Sequence, residues 1–580
     1  MGDKVYAHDP HPSVKSDIYE GNISEVRFDD VLVLFNNDFT SRYNGEDYNV
    51  TFAFNRTPMR RCHQSVERAE KYLGRSCLFP TNEDLVHLKK SQTKVAIGAN
   101  KMKPTIDSLK LNEMVDPCNY MPGLNLAYFN ELLNNRQRLA VLRIVEGLAR
   151  PVPYILYGPP GTGKTVTLVE VILQLYIQLP NSRILVCAPS NSAADLLLKR
   201  IHFYFEKWRQ KFPELPPIDM CRLNAAQRID TALDDPVIQK YSLSLCDICK
   251  AVKHRILVST CITAGQMNTE NVKIGSFTHV IVDEAGHATE PEVLVPISFV
   301  DVKNGQIVLA GDPKQLGPIL ESRLANIYGL QMSLLERLTK LPIYKRDDTR
   351  FSQTGGYNPM VVTKLVNNYR SHPKLFQVSS KLFYDNELEA NAPNDVQNLF
   401  VNHEILQNKE VPMIVHSVQG RDLREGSSMS WFNCHEVMVV IRYLRQLDLT
   451  KIPLEEIGVI TPYKKQIEKL RLFMERAGLG EIKVGTVEEF QGQERSVIIL
   501  SVVRSTEMAT VRAALGFLSN PKRMNVAMTR AKSLLVVVAN CYILLNDPSW
   551  SELVRFAIEN NCCVTNSDDL NELKRRLAEL

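Results

Sequence analysis

The chain has 580 residues, 44% apolar and 23% charged, an ordinary globular balance that argues against a disordered or fibrous chain. At roughly 150 residues per domain, that length predicts about four domains. With 69 Lys+Arg against 65 Asp+Glu the formal net charge is only +4, so bulk charge does not announce a nucleic-acid binder and any anionic partner needs a local groove.

The N-terminus, Met1 to Tyr6, has no apolar signal core, and Tyr6 stands where myristoylation wants Ser or Thr. No apolar run approaches the ~20 residues that cross a bilayer, so no membrane insertion is expected. Twelve cysteines in so long a chain point to reduced thiols of the cytosol or nucleus. Cys246-x-x-Cys249, with Cys221 and His254, offers zinc-ligand types at a spacing that matches no common finger. Ordinary buried cysteines are the better reading.

In chain order, the first segment reads as β-rich. Arg27–Phe35 and Asp47–Phe54 are predicted strands, with the turn pair Asn44-Gly45 between them. A helix follows, with Thr57 as N-cap, Pro58 at its first position and Gly74 after its last turn. Residues 86–118 are polar and poorly periodic, a loop or linker. From about Met121 short apolar runs alternate with helical stretches: Tyr154–Tyr157, Arg183–Cys187, Arg255–Val258, His279–Val282 and Gln306–Leu309. Such runs fit parallel strands buried on both faces. The interval Lys207–Val252 breaks the rhythm and reads as a small, mostly helical insertion. A second series comprises Met413–His416, Ile457–Ile460, Ile482–Val484, Val497–Leu500 and Leu534–Val538, joined to the first near Tyr344–Tyr357. The predicted fold class is α/β, with two tandem parallel-sheet lobes at 121–343 and 344–545. An N-terminal region 1–120, an insertion at about 205–252 and a helical tail 546–580 complete the division.

Gly158-Pro-Pro-Gly-Thr-Gly-Lys164-Thr165 follows a strand and precedes a helix, the setting of a phosphate loop. Gly158, Gly161, Thr162 and Gly163 let backbone N–H groups curl around phosphates. Lys164 would reach the β- and γ-phosphates of ATP, and the Thr165 hydroxyl would ligate Mg²⁺. Asp283-Glu284 closes a buried strand; Asp283 is placed to hold Mg²⁺ and Glu284 to polarise the attacking water. Gln315, in Gly311-Asp-Pro-Lys-Gln-Leu-Gly-Pro318, suits sensing a γ-phosphate oxygen or that water. In the second lobe, Asn367-Asn-Tyr369-Arg370-Ser-His372 and Asn525-Val-Ala-Met-Thr-Arg530-Ala-Lys532 each carry an arginine able to stabilise a transferring phosphoryl group. Tyr369 is able to stack on adenine.

These motifs together resemble superfamily 1 helicases of the Up-frameshift-like branch. Ala188-Pro-Ser-Asn-Ser192, Val258-Ser-Thr-Cys261, Asp283-Glu-Ala-Gly286, Ile460-Thr-Pro-Tyr463 and Val484 through Glu494 fall in that family's order. Within the branch, Gly158–Thr167, Arg183–Asp195, Leu309–Ser322, Lys364–His372 and Leu515–Lys532 are most similar to the Armitage/Moloney-leukaemia-virus-ten-like helicases. Asn55 through His63 is similar to that group's stalk. The resemblance implies two RecA-like lobes, a β-barrel on a helical stalk at about 20–75, and a second insertion at about 205–252. It implies an ATP-dependent, Mg²⁺-requiring RNA helicase moving 5′ to 3′ on single-stranded RNA, with lobes that close on ATP. It adds Gln137 as an adenine reader and Glu494 to the nucleotide set. Ser190, Asn191, Thr260, Pro462, Tyr463 and Thr486 stand at RNA-binding positions, where hydroxyls hold phosphates and an aromatic stacks a base. It also implies a monomer in small-RNA silencing, especially piRNA biogenesis with PIWI/Argonaute-pathway proteins in cytoplasmic granules, and a longer N-terminal region in other members. The motifs alone barely separate this reading from a DNA helicase of the same superfamily; against the other alternative, an ATP-gated RNA clamp with little unwinding, the filled phosphate-site positions favour catalytic turnover.

Overall fold

The structure, a computed structural model, describes residues 4–9, 17–26, 30–84, 127–225, 228, 235–243, 248–270, 272–301, 304–426, 428–447, 452–506 and 519–579. The expected linker at 86–118, the start of the first lobe near Met121 and Cys246 lie outside the described residues. The chain forms two compact units. One comprises Met1–Leu156, Thr165–Gly311 and Pro318–Thr363; the other comprises Tyr157–Lys164, Asp312–Gly317 and Lys364–Leu580.

The first unit begins with strands β1 (Lys4–His8), β2 (Ile18–Val26), β3 (Val31–Phe35) and β4 (Asn49–Ala53). They form an antiparallel sheet in the order β3-β2-β1-β4. The two strands expected on either side of the turn pair Asn44-Gly45 are therefore separated in the sheet by two others. Gly45 does sit at φ +96°, but the helix Asn37–Arg42 fills the connection and carries Phe39 onto Tyr19, Phe35 and Tyr48. The next helix is Thr57–Tyr72, one residue offset from expectation: Thr57 is inside it and the Asn55 side chain accepts from Thr57 N at 3.0 Å. It packs on the helix Glu290–Ile297, with Ser65 Oγ donating to Pro291 O at 2.7 Å.

The main sheet of this unit contains β5 (Tyr154–Tyr157), β6 (Ile184–Ala188), β7 (Met220–Leu223), β8 (Ser242–Leu243), β9 (Ile256–Thr260), β10 (His279–Val282), β11 (Gln306–Gly311) and β12 (Val362–Lys364). Their order is β12-β5-β11-β10-β6-β9-β7-β8, and the pairings from β11 to β8 are parallel. Every residue of β5, β6, β9, β10 and β11 is buried, which is why these strands are near-continuous apolar runs. Two expectations need correction. The interval 205–252 holds β7 and β8, which extend the sheet, so it is not simply a helical insertion. The first sheet also takes β12 from beyond residue 343, so its chain runs about twenty residues past the expected lobe boundary.

The second unit holds a two-stranded parallel pair, β13 (Asn367–Asn368) with β14 (Glu389–Ala390). Its main sheet has β15 (Met413–Ser417), β16 (Ile457–Ile460), β17 (Lys483–Gly485), β18 (Arg495–Ser501), β19 (Ala531–Ala539) and β20 (Cys563–Val564). The order is β17-β16-β18-β19-β15-β20, all parallel. Successive residues of β19 feed two cores: Leu535, Val537 and Ala539 one, Leu534, Val536 and Val538 the other. That alternation is the period-2 geometry of a strand covered on both faces. The expected tail 546–580 is integral to this lobe. β20 pairs with β15, and Trp550, Leu553 and Leu573 join the core.

Candidate nucleotide and nucleic-acid sites

The phosphate loop adopts the expected curl. Gly161 and Gly163 have φ of +72° and +77°, where a side chain strains the backbone. A Cβ on Gly158 would lie 2.8 Å from that of Lys164, and one on Gly161 would lie 2.6 Å from that of Arg370. Thr162 Oγ1 donates to Pro159 O at 2.7 Å, Asn368 Nδ2 to Pro160 O at 2.9 Å and Tyr369 N to Gly161 O at 2.8 Å. Asn368, Tyr369 and Arg370 thus brace the loop inside the second unit. Tyr369 remains about one-third exposed, as a stacking ring requires.

In the first unit, Thr165 Oγ1 donates to Asp283 Oδ2 at 2.9 Å. Asp283, at the carboxyl end of β10, is buried, and its other oxygen accepts from Glu284 N at 2.9 Å. A hydroxyl beside a buried carboxylate is a hard-oxygen donor set that fits Mg²⁺. Glu284 sits at φ +52°, with its carboxylate 3.6 Å from His287 Nε2. Gln137 is buried at the start of helix Asn135–Glu146. Its Oε1 accepts from Asn134 N at 3.0 Å while Asn134 Oδ1 accepts from Gln137 N, so a capping box sets the amide's orientation.

The second unit gathers the remaining phosphate-site residues around Glu494. Arg370 Nη2 is 3.1 Å from Glu494 Oε1, and Arg530 Nη1 is 3.9 Å from Oε2. Burial would raise the Glu494 pKa, but the Arg370 and Arg530 charges, a backbone hydrogen bond and Lys532 together hold the carboxyl below its ordinary range. Arg530 Nη2 donates to Gln315 Oε1 at 3.4 Å, and Gln315 Nε2 to Asp312 Oδ2 at 2.8 Å. Tyr384 OH donates to the same Asp312 oxygen at 2.7 Å and accepts from Asn525 Nδ2 at 2.6 Å. Burial raises the Asp312 pKa, opposed by these bonds and by the Lys164 charge. Asp312, Tyr384 and Asn525 were given no role from sequence. Asp312 and Asn525 lie within quoted motifs, whereas Tyr384, directly after helix Pro373–Phe383, carries no local signal.

The expected RNA-binding residues divide between the units. In the first, Ser190 Oγ caps helix Asn191–Lys211, accepting from Ala193 N at 3.2 Å. Asn191 Oδ1 accepts from Arg222 Nη2 at 3.0 Å. Arg222 is fully buried, and its Nε donates to Asp195 Oδ1 at 2.9 Å. Sequence reading missed this arginine because it sits inside a four-residue buried strand. Thr260 is largely buried and donates to Thr263 Oγ1 at 2.7 Å. In the second unit, Pro462 and Tyr463 follow β16, and Thr486 Oγ1 accepts from Glu489 N at 3.3 Å. Tyr463 is only 5% exposed, and its side chain is hydrogen-bonded to Arg504. The expectation that Tyr463 offers an open ring to a base is therefore corrected: packing closes it. The cysteines resolve as Cys221 buried and Cys249 exposed, with His254 Nδ1 on Asp219 Oδ1 at 2.5 Å. Among the described residues no helix is long and apolar enough to cross a membrane.

Two family models described as AAA domains match residues 132–244 with 251–323, and 330–542. The chain is 42% identical to human "RNA helicase Mov10l1" over 93% of its own length and 47% of that protein. It is 36% identical to the Drosophila melanogaster "Probable RNA helicase armi" over 94% of the chain and 46% of that protein. The chain thus spans about half the length of these curated relatives. A crystal structure of Arterivirus nonstructural protein 10 (helicase) matches at 18% identity and a TM-score of 0.33, covering 70% of this chain and 61% of that one.

Proposed function

The chain belongs to the Armitage/Moloney-leukaemia-virus-ten-like helicases of the Up-frameshift-like branch, and on that premise we propose that it is an ATP-dependent RNA helicase. It translocates 5′ to 3′ on single-stranded RNA as a monomer. Its setting is small-RNA silencing, in piRNA biogenesis with PIWI/Argonaute-pathway proteins in cytoplasmic granules. The observation that carries the catalytic part is the pairing of Arg370 and Arg530 with Glu494, with Gln315 bonded to Arg530, in the unit that also holds Gly158 to Lys164 of the phosphate loop.

The loop glycines and Thr162 present backbone N–H groups to phosphates, and Lys164 neutralises the β- and γ-oxygens. Thr165 and Asp283 would hold Mg²⁺, which when bound would neutralise charge on the phosphates. Glu284 takes the proton of the attacking water. Arg370 and Arg530 stabilise charge on the transferring phosphoryl, and Gln315 reports its presence to Arg530. Gln137 and Tyr369 hold the adenine, and Glu494 completes the nucleotide set. Ser190, Asn191, Thr260, Pro462 and Thr486 grip RNA through phosphates, so base preference is weak. Changing nucleotide state changes that grip and yields steps.

The test is ATP turnover with and without single-stranded RNA or DNA, followed by unwinding of duplexes with 5′ or 3′ tails. RNA-stimulated turnover and 5′-tailed unwinding are expected, and both vanish in Lys164→Ala and Glu284→Gln. Turnover left intact in both variants would sink the assignment. Slow turnover without unwinding marks a clamp, and equal action on DNA tails marks a DNA helicase.

A further inference from the structure

The burial of Tyr463 leaves the second unit without its expected base-stacking ring, but the adjoining loop supplies another. Between β15 and helix Cys434–Gln446, the described residues 418–426 and 428–433 fold back on one another, with Leu423 and Phe432 exchanging N–H···O bonds of 2.8 and 3.0 Å. Trp431 stands beside this bridge, partly exposed. Two guanidinium groups lie against its ring, Arg424 at 4.0 Å and Arg504 at 4.5 Å from the centroid. The two arginines differ in kind. Arg504 is buried, 3.2 Å from the fully buried Asp422 carboxylate, and also bonds Tyr463. Arg424 is exposed, and no carboxylate among the described residues pairs with it.

The loop is built rather than loose. Asp422 Oδ1 accepts from Ser505 N at 3.1 Å and Thr506 N at 2.7 Å, tying it to the chain after β18. Ser430 Oγ accepts from Lys465 N at 3.1 Å, and Glu425 pairs with Lys465 and Lys469 at 3.1 and 3.0 Å, tying it to helix Lys464–Arg476. Trp431, Arg504 and Tyr463 thus follow β15, β18 and β16 and share the carboxyl end of one parallel sheet, the end at which open α/β sheets bind ligands.

We propose that Trp431 is a base-stacking platform for single-stranded RNA, with Arg424 as a movable partner. The inference rests on the RNA reading above and extends it to a site that reading does not contain. Arg504 is pinned by Asp422 and fixes the indole from below the surface. Arg424 has only the ring to hold it, so an incoming base takes its place on the indole and the freed guanidinium turns to the adjacent phosphate. Stacking on an aromatic ring flanked by arginine is the recurrent way single strands are held without sequence preference. An acidic peptide would satisfy the cations but leave the indole unused.

The chain has three tryptophans; Trp550 is buried while Trp208 and Trp431 are partly exposed, so the Trp431 signal is isolated by difference from Trp431→Phe. The full chain is titrated with a short oligouridylate and with an abasic strand of the same length. The oligouridylate is expected to quench emission, and the quench is lost in Trp431→Phe relative to the remaining tryptophans. Trp431→Ala weakens oligouridylate binding roughly tenfold and leaves abasic binding unchanged. Arg424→Ala weakens oligouridylate binding and flattens its salt dependence, with a smaller effect on the abasic strand, which has no base to free the guanidinium. The base-selective loss separates stacking from general misfolding. If Trp431→Ala fails to fold, Trp431→Phe and Arg424→Ala carry the test. Binding of both strands at wild-type strength in all variants overturns the platform while leaving the RNA reading standing. A wild-type chain that binds neither strand overturns both.

Discussion

Glu284 is one of the few non-glycine residues held in the left-handed region, at φ +52°, a conformation that costs a side chain of order 1 kcal/mol. Glu284 stands in the turn that follows β10, two residues past the strand's end at Val282. Glycine accepts this backbone, but it also loses more freedom on folding, and the two effects oppose. Glu284→Gly is therefore expected to abolish hydrolysis while changing the unfolding free energy by no more than about 1 kcal/mol, read by urea denaturation. A loss well beyond that would mean that the carboxylate is structural. Glu436 shows the opposite arrangement. Burial pushes its pKa from 4.5 up to about 8, against bonds from Ser501 Oγ and Val503 N that favour the anion. With the folded value raised, the unfolded chain releases this proton first as pH rises. Its stabilising contribution is full below pH 4.5, falls progressively above it and is lost through about pH 8. Glu436→Gln is expected to flatten that segment of the stability–pH curve. An unchanged slope would show that Glu436 ionises normally.

At the scale of elements, β7 matters beyond its four residues. Its Arg222 joins Asp195 and Asn191 on helix Asn191–Lys211, and Arg228 adds a second cation on Asp195 at 2.6 Å. Removing one member of a buried charge set usually costs about 3–5 kcal/mol, and Arg228 softens that here because Asp195 keeps a partner. Arg222→Met should destabilise the first unit by about 2–3 kcal/mol in chemical denaturation. Arg222→Lys should recover part of this loss, since it restores charge but not the three-way reach to Asp195, Asn191 and Leu223 O. Equal stability of Met and Lys variants would show that charge plays no part.

The same strand shows where sequence reading stops. Tyr154–Tyr157, His279–Val282 and Ile457–Ile460 were legible to the residue because strands buried on both faces are unbroken apolar runs. Met220–Leu223 was not, because Arg222 interrupts the run and its charge is answered by residues on another element. β1 intervenes between β2 and β4 through pairings that no local pattern encodes, so the turn chemistry at Asn44-Gly45 suggested the wrong neighbour. In the site, glycine spacing announced the phosphate loop. Tyr384 reaches Asp312 across seventy-two positions of sequence, and no motif marks it.

At the scale of the whole molecule, each unit has its own parallel sheet, and the second has a separate core on each face. The chain's near-neutral net charge of +4 is consistent with an architecture in which cations are paired locally, as Arg370 and Arg530 are on Glu494. The margins of the sheets have a different consequence. Both parallel sheets end in strands of two or three residues, β12 and β8 in one and β17 and β20 in the other. Strands so short give another chain little to zip onto. The N-terminal sheet instead ends in five-residue strands with Leu32, Leu34, Val50 and Phe52 exposed. Among the described residues, the margins of this sheet are the edges most open to another strand, and a lysine at Leu34 or Phe52 is expected to raise solubility at high concentration.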